Sequence, residues 1–350
     1  MTTTLPGPKR PLKIARRAID VDPAKLVEIG YAGQHPGLPV VIRPRIPGVD
    51  LVEWIREHPG DIDDALHRHG GILFRGFDTC GQEGFSRILD ACDWTLMDYV
   101  ESATPRLKLG DRVYTSTEFP PEYPIAQHNE LSYVKNWPMR LALFCVTAPA
   151  EGGESPVADA RKVLEHVGPE IRERFEKRGG WRLVRNYGFG YGPGWRDAFH
   201  VEERGAAEAY FRAADIEFEW LPDDRLRTTH VRPVTRRHPV TGEEVWFNHI
   251  AFWHTSSLPR EIREHFLRDF GVEGCPYNTF YGDGTPIEEE VAQALRTAYD
   301  RATVAFPWQP GDLVMVDNML ATHGRNAFKG ARRVLVAMGN PVFNELEGTA

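Results

Sequence analysis

The feature that most constrains this chain is a polar motif that lies just upstream of an apolar run. The stretch IAQHNELSY occupies positions 125–133, and the run LALFCVTAPA begins after Arg140. That run suits a buried strand and is far too short to span a bilayer. In an extended chain, side chains at positions i and i+2 point to the same side, so His128 and Glu130 can converge on one point. The motif alone leaves open whether that point holds a metal ion, a salt bridge or neither.

Further β-rich runs and helical patterns indicate how the chain is organised. Helical periodicity with capping signals lies early and in the middle, whereas most β-rich runs come later and are dispersed. This order favours a mainly β fold, in which an antiparallel sheet core carries flanking helices on its outside. The helical patterns are DIDDALHRHG, GFSRILDACDW and DARKVLEHVGPEIRERFEKRGG, and the β-rich runs include GILFRGFD, EEVWFNHIAFW, DLVMVDN and RRVLVAMGN.

Composition argues against several classes of protein. A chain of 350 residues with 41% hydrophobic residues has ample material for a core, and its net charge of −8 argues against a nucleic-acid surface. The N-terminal sequence MTTTLPGPKRPLKIARR has no apolar segment after its charges, so no signal peptide is expected. The four cysteines are widely spaced and form no CxxC pair. We therefore expect a cytoplasmic protein with reduced thiols that binds neither nucleic acid nor membrane.

A second histidine, His323 in ATHGRNAF, lies between two β-rich runs. If its strand meets the HNE motif, His128, Glu130 and His323 supply two imidazoles and one carboxylate. Non-haem Fe(II) oxygenases hold their metal with this set, which leaves three positions for a bidentate co-substrate and O₂. An H-x-E pair alone is a weak signal, and the same three ligands could hold a catalytic zinc ion.

Two arginines open the strand that follows His323. Arg332 and Arg333 begin the run RRVLVAM, where a buried guanidinium is costly unless an anion pairs with it. Because successive residues of a strand point to opposite faces, only one of the two can aim inward beside His323. The inward arginine could bind the distal carboxylate of 2-oxoglutarate as a bidentate fork. The alternative is a rim arginine paired with an acidic neighbour.

Several motifs together resemble those of the taurine dioxygenase-like family, and most closely its syringomycin-biosynthesis-type hydroxylases. The resemblance extends from about Gly70 to Asn340, with the motifs in the family's order. It implies a double-stranded β-helix (jelly roll) and an Fe(II)- and 2-oxoglutarate-dependent oxygenase that uses O₂. We expect residues 1–40 to form an N-terminal tail, and 41–345 a single jelly-roll domain with a helical or lid insert around 159–225. The motifs are HNELSY, CVTAPAEGGESPVADAR and VDNMLATHGRNAFKGARRVLVAM, joined by GILFRGF, RNYGFGYGPGW, LRTTHVRP and HPVTGEEVWFNH.

The resemblance assigns roles to individual positions. His128, Glu130 and His323 match the family's catalytic iron ligands. Arg333, the second arginine of the pair, matches the residue that binds the distal carboxylate of 2-oxoglutarate, with Arg332 as the alternative. Ser155 in GGES stands where the family usually has a threonine that touches the same carboxylate.

Two positions narrow the chemistry that the resemblance implies. Taurine dioxygenase has a sulfonate-binding arginine four places after its 2-oxoglutarate arginine, whereas Ala337 stands at that place here. Oxidation of a sulfonate is therefore not expected. Related halogenases replace the carboxylate ligand by Gly or Ala, whereas this chain has Glu130. Hydroxylation, or another oxidation without halide, is the expected outcome.

The resemblance implies a small-molecule substrate: an amino acid, free or tethered to a carrier protein, that is hydroxylated at an unactivated C–H bond in natural-product biosynthesis. Two alternatives stay open, namely desaturation, epoxidation or cyclisation at the same iron, and a non-enzymatic or zinc-binding jelly roll. Candidate substrate-binding residues are Asn248, Thr115 and Glu118. His249 and His254 are expected to be core or pocket-wall residues, and RNYGFGYGPGW a lid over the site.

Overall fold

The computed structural model describes residues 26–32, 37–98, 100–101, 113–116 and 119–342. The strands are β1 (Val27–Tyr31), β2 (Val40–Pro44), β3 (Gly71–Phe74), β4 (Val113–Thr115), β5 (Ile125–His128), β6 (Pro138–Thr147), β7 (Glu151–Gly152), β8 (Val157–Asp159), β9 (Trp181–Tyr187), β10 (Glu217–Leu221), β11 (Arg225–Arg232), β12 (Thr235–Arg237), β13 (Glu244–Trp246), β14 (Tyr277–Tyr281), β15 (Thr303–Val304), β16 (Leu313–Asp317), β17 (Ala321–Arg325), β18 (Phe328–Lys329) and β19 (Arg333–Pro341). The helices are α1 (Leu51–Glu57), α2 (Pro59–His69), α3 (Gly81–Ala91), α4 (Ala160–Glu176), α5 (Trp195–Phe199), α6 (Arg204–Ala213), α7 (Ile250–Trp253), α8 (Arg260–Gly274) and α9 (Glu289–Ala302).

A seven-stranded sheet forms the centre of the fold, with the order β1-β2-β3-β16-β6-β19-β4. Its pairs are antiparallel except for β2 and β3, which run parallel. Both faces of its central strands are buried, so these strands are almost continuously apolar. On β6, for example, Leu143 packs into one core cluster, whereas Phe144 packs into a second cluster with residues of α1, α2 and α3.

The opposite face of the large sheet is covered by a four-stranded sheet with the order β15-β8-β17-β5. The core between them draws on Val157 and Ala321 of the small sheet and on Val314, Val316 and Leu143 of the large one. The chain is therefore built of β-sheets that enclose the core and helices that flank them. Strands β5 and β17, which carry the two candidate histidine ligands, are neighbours in the small sheet.

A third sheet, with the order β10-β11-β9-β14, is formed partly by the predicted insert and partly by strands that follow it in the chain. Residues 159–225 contain α4, β9, α5, α6 and β10, but β9 pairs with β11 and β14, which come later in the chain. The helical or lid insert expected around 159–225 does contain three helices, but its strands pair with strands that come later in the chain. A separate apolar cluster fixes α5 and α6 against this sheet, and it includes Phe199, Phe211 and Leu226.

The N-terminal part of the chain also differs from the expected tail. Strand β1 pairs antiparallel with β2 along its whole length and forms the edge of the large sheet. Residues 27–31 therefore belong to the folded unit, whereas 1–25 and 33–36 lie outside the described residues. In the part of the chain that the structure describes, no helix has both the length and the apolar character needed to cross a bilayer.

Local sequence signals correctly placed several helices. Helix α2 ends at Gly70, which adopts the left-handed conformation (φ 77°) that glycine tolerates best. Helix α4 begins after Asp159, whose carboxylate accepts a hydrogen bond from the Arg161 N–H at 2.9 Å. It is broken at Gly168, just before Pro169, where the backbone leaves the helical conformation.

Candidate metal centre

Cross-strand pairing brings the two predicted histidine ligands together. His323 on β17 is the direct antiparallel partner of His128 on β5, and the ring centroids are 4.4 Å apart. The register shifts just after this pair. A side chain at Gly324 would place its Cβ 2.7 Å from the carbonyl oxygen of Ile125, so the close approach of the two strands requires glycine there.

Glu130 reaches the same point by a different route from the one that the sequence predicted. Strand β5 ends at His128, and Glu130 lies in the turn that follows. Asn318 holds this turn: its Oδ1 accepts from the Glu130 N–H at 2.7 Å, and its Nδ2 donates to the Glu130 carbonyl oxygen at 2.8 Å. Asn129 donates in return to the Asn318 carbonyl oxygen at 2.6 Å. The extended-chain argument was wrong in detail, although the convergence that it predicted is present.

The three side chains form a compact, buried donor set. One ligand atom from each of His128, Glu130 and His323 lies within 4.8 Å of the other two, and His323 Nε2 is 3.5 Å from a Glu130 carboxylate oxygen. His128 Nδ1 lies 2.8 Å from the Ala126 carbonyl oxygen, which can only accept. This contact places a proton on Nδ1, so Nε2 is the ring nitrogen that would bind a metal. This donor set fits Fe(II).

A layer of aromatic rings covers His128. The His249 and Phe252 rings lie 5.3 and 5.0 Å from the His128 ring, centroid to centroid. His249 Nδ1 is 2.6 Å from the hydroxyl oxygen of Ser132, and burial lowers the pKa of His249 well below its ordinary value. His249 is 4% exposed, which agrees with the sequence interpretation of it as a core or pocket-wall residue. The layer keeps bulk water away from that side of the donor set.

A narrow cavity beside His128 and His323 contains one arginine of the pair, and it is Arg332. Its guanidinium donates to the Gly153 carbonyl oxygen at 2.9 Å, to the Ser116 hydroxyl at 3.3 Å and to the Ser155 hydroxyl at 3.2 Å. Among the described residues, no carboxylate lies within ion-pair distance of it. Ser155 therefore lies next to an arginine that has no ion-pair partner among the described residues.

Arg333 is exposed and does not line this cavity, so the placement contradicts the expectation that it faces the co-substrate. The reason is the alternation of β19. Val334 and Val336 point with Arg332 toward the cavity, whereas Ala337 packs with α1–α3 on the other face of the sheet. The residue four places after the cavity arginine is therefore Val336 and not Ala337. It is apolar too, so the argument against a sulfonate substrate is unchanged.

A second guanidinium lines the same cavity and was missed by the sequence analysis. Arg325 donates to the carbonyl oxygens of Phe119, Pro120 and Tyr123 at 2.8–2.9 Å, so it fixes the 119–123 loop. Burial, and then the charge of Arg325, lower the pKa of Arg332 to about 10. A buried cation, Arg325, and a half-buried one, Arg332, in one narrow cavity favour an anionic ligand. The sequence did offer a signal for Arg325: it lies two positions after His323, so the two side chains of one strand point to the same side.

A larger cavity of about 370 Å³ lies on the other side of the 119–123 loop. Its wall includes Trp253, whose ring is 6.3 Å from that of His249, so it approaches the donor set through the aromatic layer. The glycine-rich segment predicted as a lid supplies six of its lining residues, 185–187 and 191–193. The cavity wall is completed by Leu258, Pro259, Ile262, Phe266, Pro276 and Tyr277, with Phe119, Pro120 and Tyr123.

The three predicted substrate-binding residues fare differently. Asn248 is fully buried and its amide serves the backbone, because Nδ2 donates to the Val234 carbonyl oxygen and Oδ1 accepts from the Ile250 N–H. It lies two residues before α7 and has a structural role, which contradicts the predicted one. Thr115 pairs with Leu335 at the end of β4 and lines neither cavity. Glu118 lies outside the described residues.

A second cluster of potential ligands, His67, His238 and Asp317, already contains a cation. Arg140 makes an ion pair with Asp317 and donates to His67 Nε2 at 3.1 Å. His238 Nδ1 accepts from backbone N–H groups, so its Nε2 donates to Asp317. Burial tends to raise the pKa of Asp317, but His238 and Arg140 hold it below its usual value. This network fixes the turn that contains Asn318, and its cation is a guanidinium and not a metal.

Two histidines and one carboxylate, converging beside an arginine-lined cavity, are the donor set that non-haem iron oxygenases use. The sequence agrees: residues 34–338 match the profile of the family described as "Taurine catabolism dioxygenase TauD, TfdA family", and the chain belongs to that family. It is an Fe(II)- and 2-oxoglutarate-dependent oxygenase whose co-substrate is consumed with O₂.

Several individual proteins are similar to the chain. The dapdiamide synthesis protein DdaC of Enterobacter agglomerans is 37% identical over 84% of this chain and 89% of its own length. A clavaminate synthase-like protein of Arabidopsis thaliana is 29% identical over 86% of this chain and 93% of its own length. The crystal structure of PvcB from Pseudomonas aeruginosa superposes with a TM-score of 0.54 at 18% identity, covering 93% of each chain, and shows a shared fold.

Proposed function

We propose that this oxygenase hydroxylates an unactivated C–H bond of an amino acid, free or tethered to a carrier protein, in the biosynthesis of a natural product. The observation that carries the proposal is the convergence of His128, Glu130 and His323 within 4.8 Å beside the cavity of Arg332. The name of DdaC, a dapdiamide synthesis protein, supports a biosynthetic role. A filled carboxylate position at Glu130 favours hydroxylation over halogenation.

One set of residues binds the metal and another set binds the co-substrate. His128, Glu130 and His323 hold Fe(II), which supplies the oxidising chemistry with O₂ and 2-oxoglutarate. Arg332 binds the distal carboxylate of 2-oxoglutarate by charge-assisted hydrogen bonds, and Ser155 donates a further one. The hydrogen-bond partners of Arg332, one carbonyl oxygen and two hydroxyls, are neutral. They leave its positive charge for an anion.

The remaining side chains orient these groups and exclude water. Arg325 anchors the 119–123 loop, which separates the co-substrate cavity from the larger one. His249 and Phe252 pack on the His128 ring and keep its orientation fixed. A dry, rigid site favours transfer of oxygen to a substrate held nearby over loss of the oxidant to water.

We also propose that the fold is a jelly roll. The two facing sheets are inferred to be the halves of a jelly roll, in which β5 and β17 hold the metal near one end. A single oxygenase unit is inferred to extend to about residue 345 and to start by β1 rather than at residue 41. Membership of a dioxygenase family argues against the non-enzymatic alternative.

The proposal is tested by anaerobic reconstitution with Fe(II) and 2-oxoglutarate, which should give the weak visible charge-transfer band of the chelate. Oxygen is then admitted with candidate amino acids, free and loaded on a carrier protein. We expect succinate in stoichiometric amount with a product that has gained one oxygen atom. A product that has lost two hydrogens instead would assign desaturation or cyclisation, and oxygen added across a double bond would assign epoxidation. Either result would overturn hydroxylation.

A further inference from the structure

The 119–123 loop lies between the two cavities and is held by the side chain of Arg325. The guanidinium donates from Nη1 to the Phe119 carbonyl oxygen at 2.9 Å, and from Nη2 to those of Pro120 and Tyr123 at 2.8 Å each. The side chains of these three loop residues line the larger cavity, whereas Arg325 itself lines the narrow one. One arginine therefore lines the first cavity and fixes part of the wall of the second.

The third nitrogen of this guanidinium still has a hydrogen to donate. Arg325 Nε is buried and has no hydrogen-bond partner in the part of the chain that the structure describes. Burying an N–H group without an acceptor costs free energy, and such a group marks a place where a ligand atom can bind. An oxygen atom of a bound anion can accept from Nε while Nη1 and Nη2 keep their three carbonyl oxygens.

The charge of Arg325 is also suited to an anion in the narrow cavity. Among the described residues, no carboxylate lies within ion-pair distance of it, and Glu122, whose charge does act on it, is exposed on the loop. The Phe328 ring contacts both cavity arginines, with its centroid 5.1 Å from Arg325 Cζ and 5.7 Å from Arg332 Cζ. Two like charges at one aromatic ring repel each other, so an anion that reaches both relieves that repulsion.

We propose that Arg325 links the two cavities: its Nε donates to the anionic co-substrate, while its terminal nitrogens hold the 119–123 loop. This inference rests on the proposed function, since it takes the narrow cavity to be the site of 2-oxoglutarate. Binding of the co-substrate then orders the loop and, with it, one wall of the larger cavity. Because such coupling is reciprocal, a ligand that needs this wall ordered also strengthens the binding of the co-substrate.

Hydrogen exchange followed by mass spectrometry measures the order of the loop directly. Two N–H groups report on it, because Tyr123 donates to the Pro120 carbonyl oxygen and Phe328 donates to that of Pro121. In the full chain with Fe(II) and without O₂, saturating 2-oxoglutarate should slow exchange in the segments that contain these amides by about threefold or more. If Arg325 were only a structural anchor, exchange would be equally fast with and without 2-oxoglutarate, and the proposal would be overturned.

The variant Arg325→Gln should abolish this response, with less than about 1.5-fold slowing at a saturating concentration of 2-oxoglutarate. Its affinity for 2-oxoglutarate, measured by anaerobic titration of the chelate band, should fall by roughly three- to tenfold, because one charge-assisted hydrogen bond is lost. The matched control is Arg333→Gln, which removes an exposed arginine that lines neither cavity and should keep the full response and affinity. A full response in Arg325→Gln, or an unchanged affinity, would contradict the link.

A second variant covers a failure of Arg325→Gln to fold, which thermal unfolding would show. Arg325→Lys keeps the charge, but one ammonium group cannot bind three loop carbonyl oxygens and an anion at the same time. The slowing of exchange by 2-oxoglutarate should therefore fall by about half or more. Full slowing in this variant would also overturn the proposal.

The link and the proposed function fail in different ways. A normal iron chelate whose formation leaves loop exchange unchanged would reject the link alone. If no chelate forms but 2-oxoglutarate by itself slows loop exchange in the unmodified chain, the link stands and the proposed function is rejected.

Discussion

At the scale of single residues, two adjacent arginines at the start of β19 have different surroundings. Arg332 reaches Ser155 and Ser116 inside the cavity, whereas Arg333 points to solvent. Both fit the sequence pattern, because the choice depends on the phase of one strand. An error of one position moves every side chain of a strand to the opposite face. For the same reason, the residue compared with the sulfonate-binding arginine of taurine dioxygenase was Ala337, whereas counting four places from Arg332 gives Val336.

The two arginines give a matched pair of variants. Arg332→Gln should raise the KM for 2-oxoglutarate by roughly 10- to 100-fold, because it removes charge-assisted hydrogen bonds to a carboxylate. Arg333→Gln should leave that KM within about twofold. Steady-state succinate formation at varied 2-oxoglutarate measures both. A larger effect at Arg333 would return the co-substrate role to that residue.

Asn318 is a positioning residue, because it binds the backbone of Glu130 and does not supply a donor to the metal. Removing it in Asn318→Ala should lower Fe(II) affinity by roughly 10- to 100-fold, as is typical for the loss of a group that orients a ligand. Asn326→Ala, which loses a single bond to Glu154, is the control and should keep full affinity. Anaerobic Fe(II) titration measures the two. Equal affinities would show that the turn holds Glu130 without Asn318.

At the scale of elements, local sequence signals determine where helices begin and end, whereas contacts between distant segments determine which strands pair. Helices α2 and α4 were predicted because their caps and stops are local, at Gly70 and Asp159. The pairing of β9 with β11 and β14 was not predicted, because strand partners far apart in sequence leave no local signal. The strands within 159–225 were missed for that reason, whereas its helices α4, α5 and α6 fit the expected helical or lid insert. Likewise, the turn at Glu130 depends on β16 and its following residue Asn318, some 188 positions away.

His254 accepts a hydrogen bond within the short turn Thr255–Ser257, and we expect its titration to change the free energy of unfolding with pH. His254 accepts from the Ser256 N–H, and burial, then the charges of Arg296 and Arg263, lower its pKa to about 4, with Glu289 acting in the opposite direction. Above its ordinary value of 6.5 it is neutral in both folded and unfolded chains. Between 6.5 and about 4 only the unfolded chain takes up the proton, so the free energy of unfolding falls as pH falls.

This loss should amount to roughly 3 kcal/mol from pH 7 to pH 4. The variant His254→Asn keeps an acceptor for the Ser256 N–H and has no titration, so its stability should fall less over the same range. Urea unfolding of both chains at several pH values measures the difference. Parallel curves for the two chains would exclude His254 as the source.

At the scale of the whole molecule, the metal site joins parts of the chain that are far apart in sequence. His128 and Glu130 come from β5 and its turn, His323 comes from β17, and Arg332 lies just before β19. Ligands that bind only the folded chain stabilise it by mass action. The centre therefore couples iron loading to the stability of both facing sheets.

We expect Fe(II) with 2-oxoglutarate, each at about 100 times its dissociation constant under anaerobic conditions, to raise the midpoint of thermal unfolding by roughly 5 °C or more. A chelator should reverse the rise. His323→Ala should show little of it, because one donor is missing, whereas Arg333→Gln should show all of it. Differential scanning calorimetry measures the midpoints. An equal rise in His323→Ala would place the metal elsewhere.

The sequence by itself determined the chemistry that this chain can perform and many of its elements. The residue types at His128, Glu130 and His323 restrict the ligand set, and the order of motifs indicates the family, since both are properties of the chain alone. Only the tertiary structure decided which arginine enters the cavity, how Asn318 sets Glu130, and that Arg325 holds the loop between the two cavities. Those facts depend on strand phase and on contacts between distant segments. Local sequence carries little information about either, because packing free energy is summed over the whole fold.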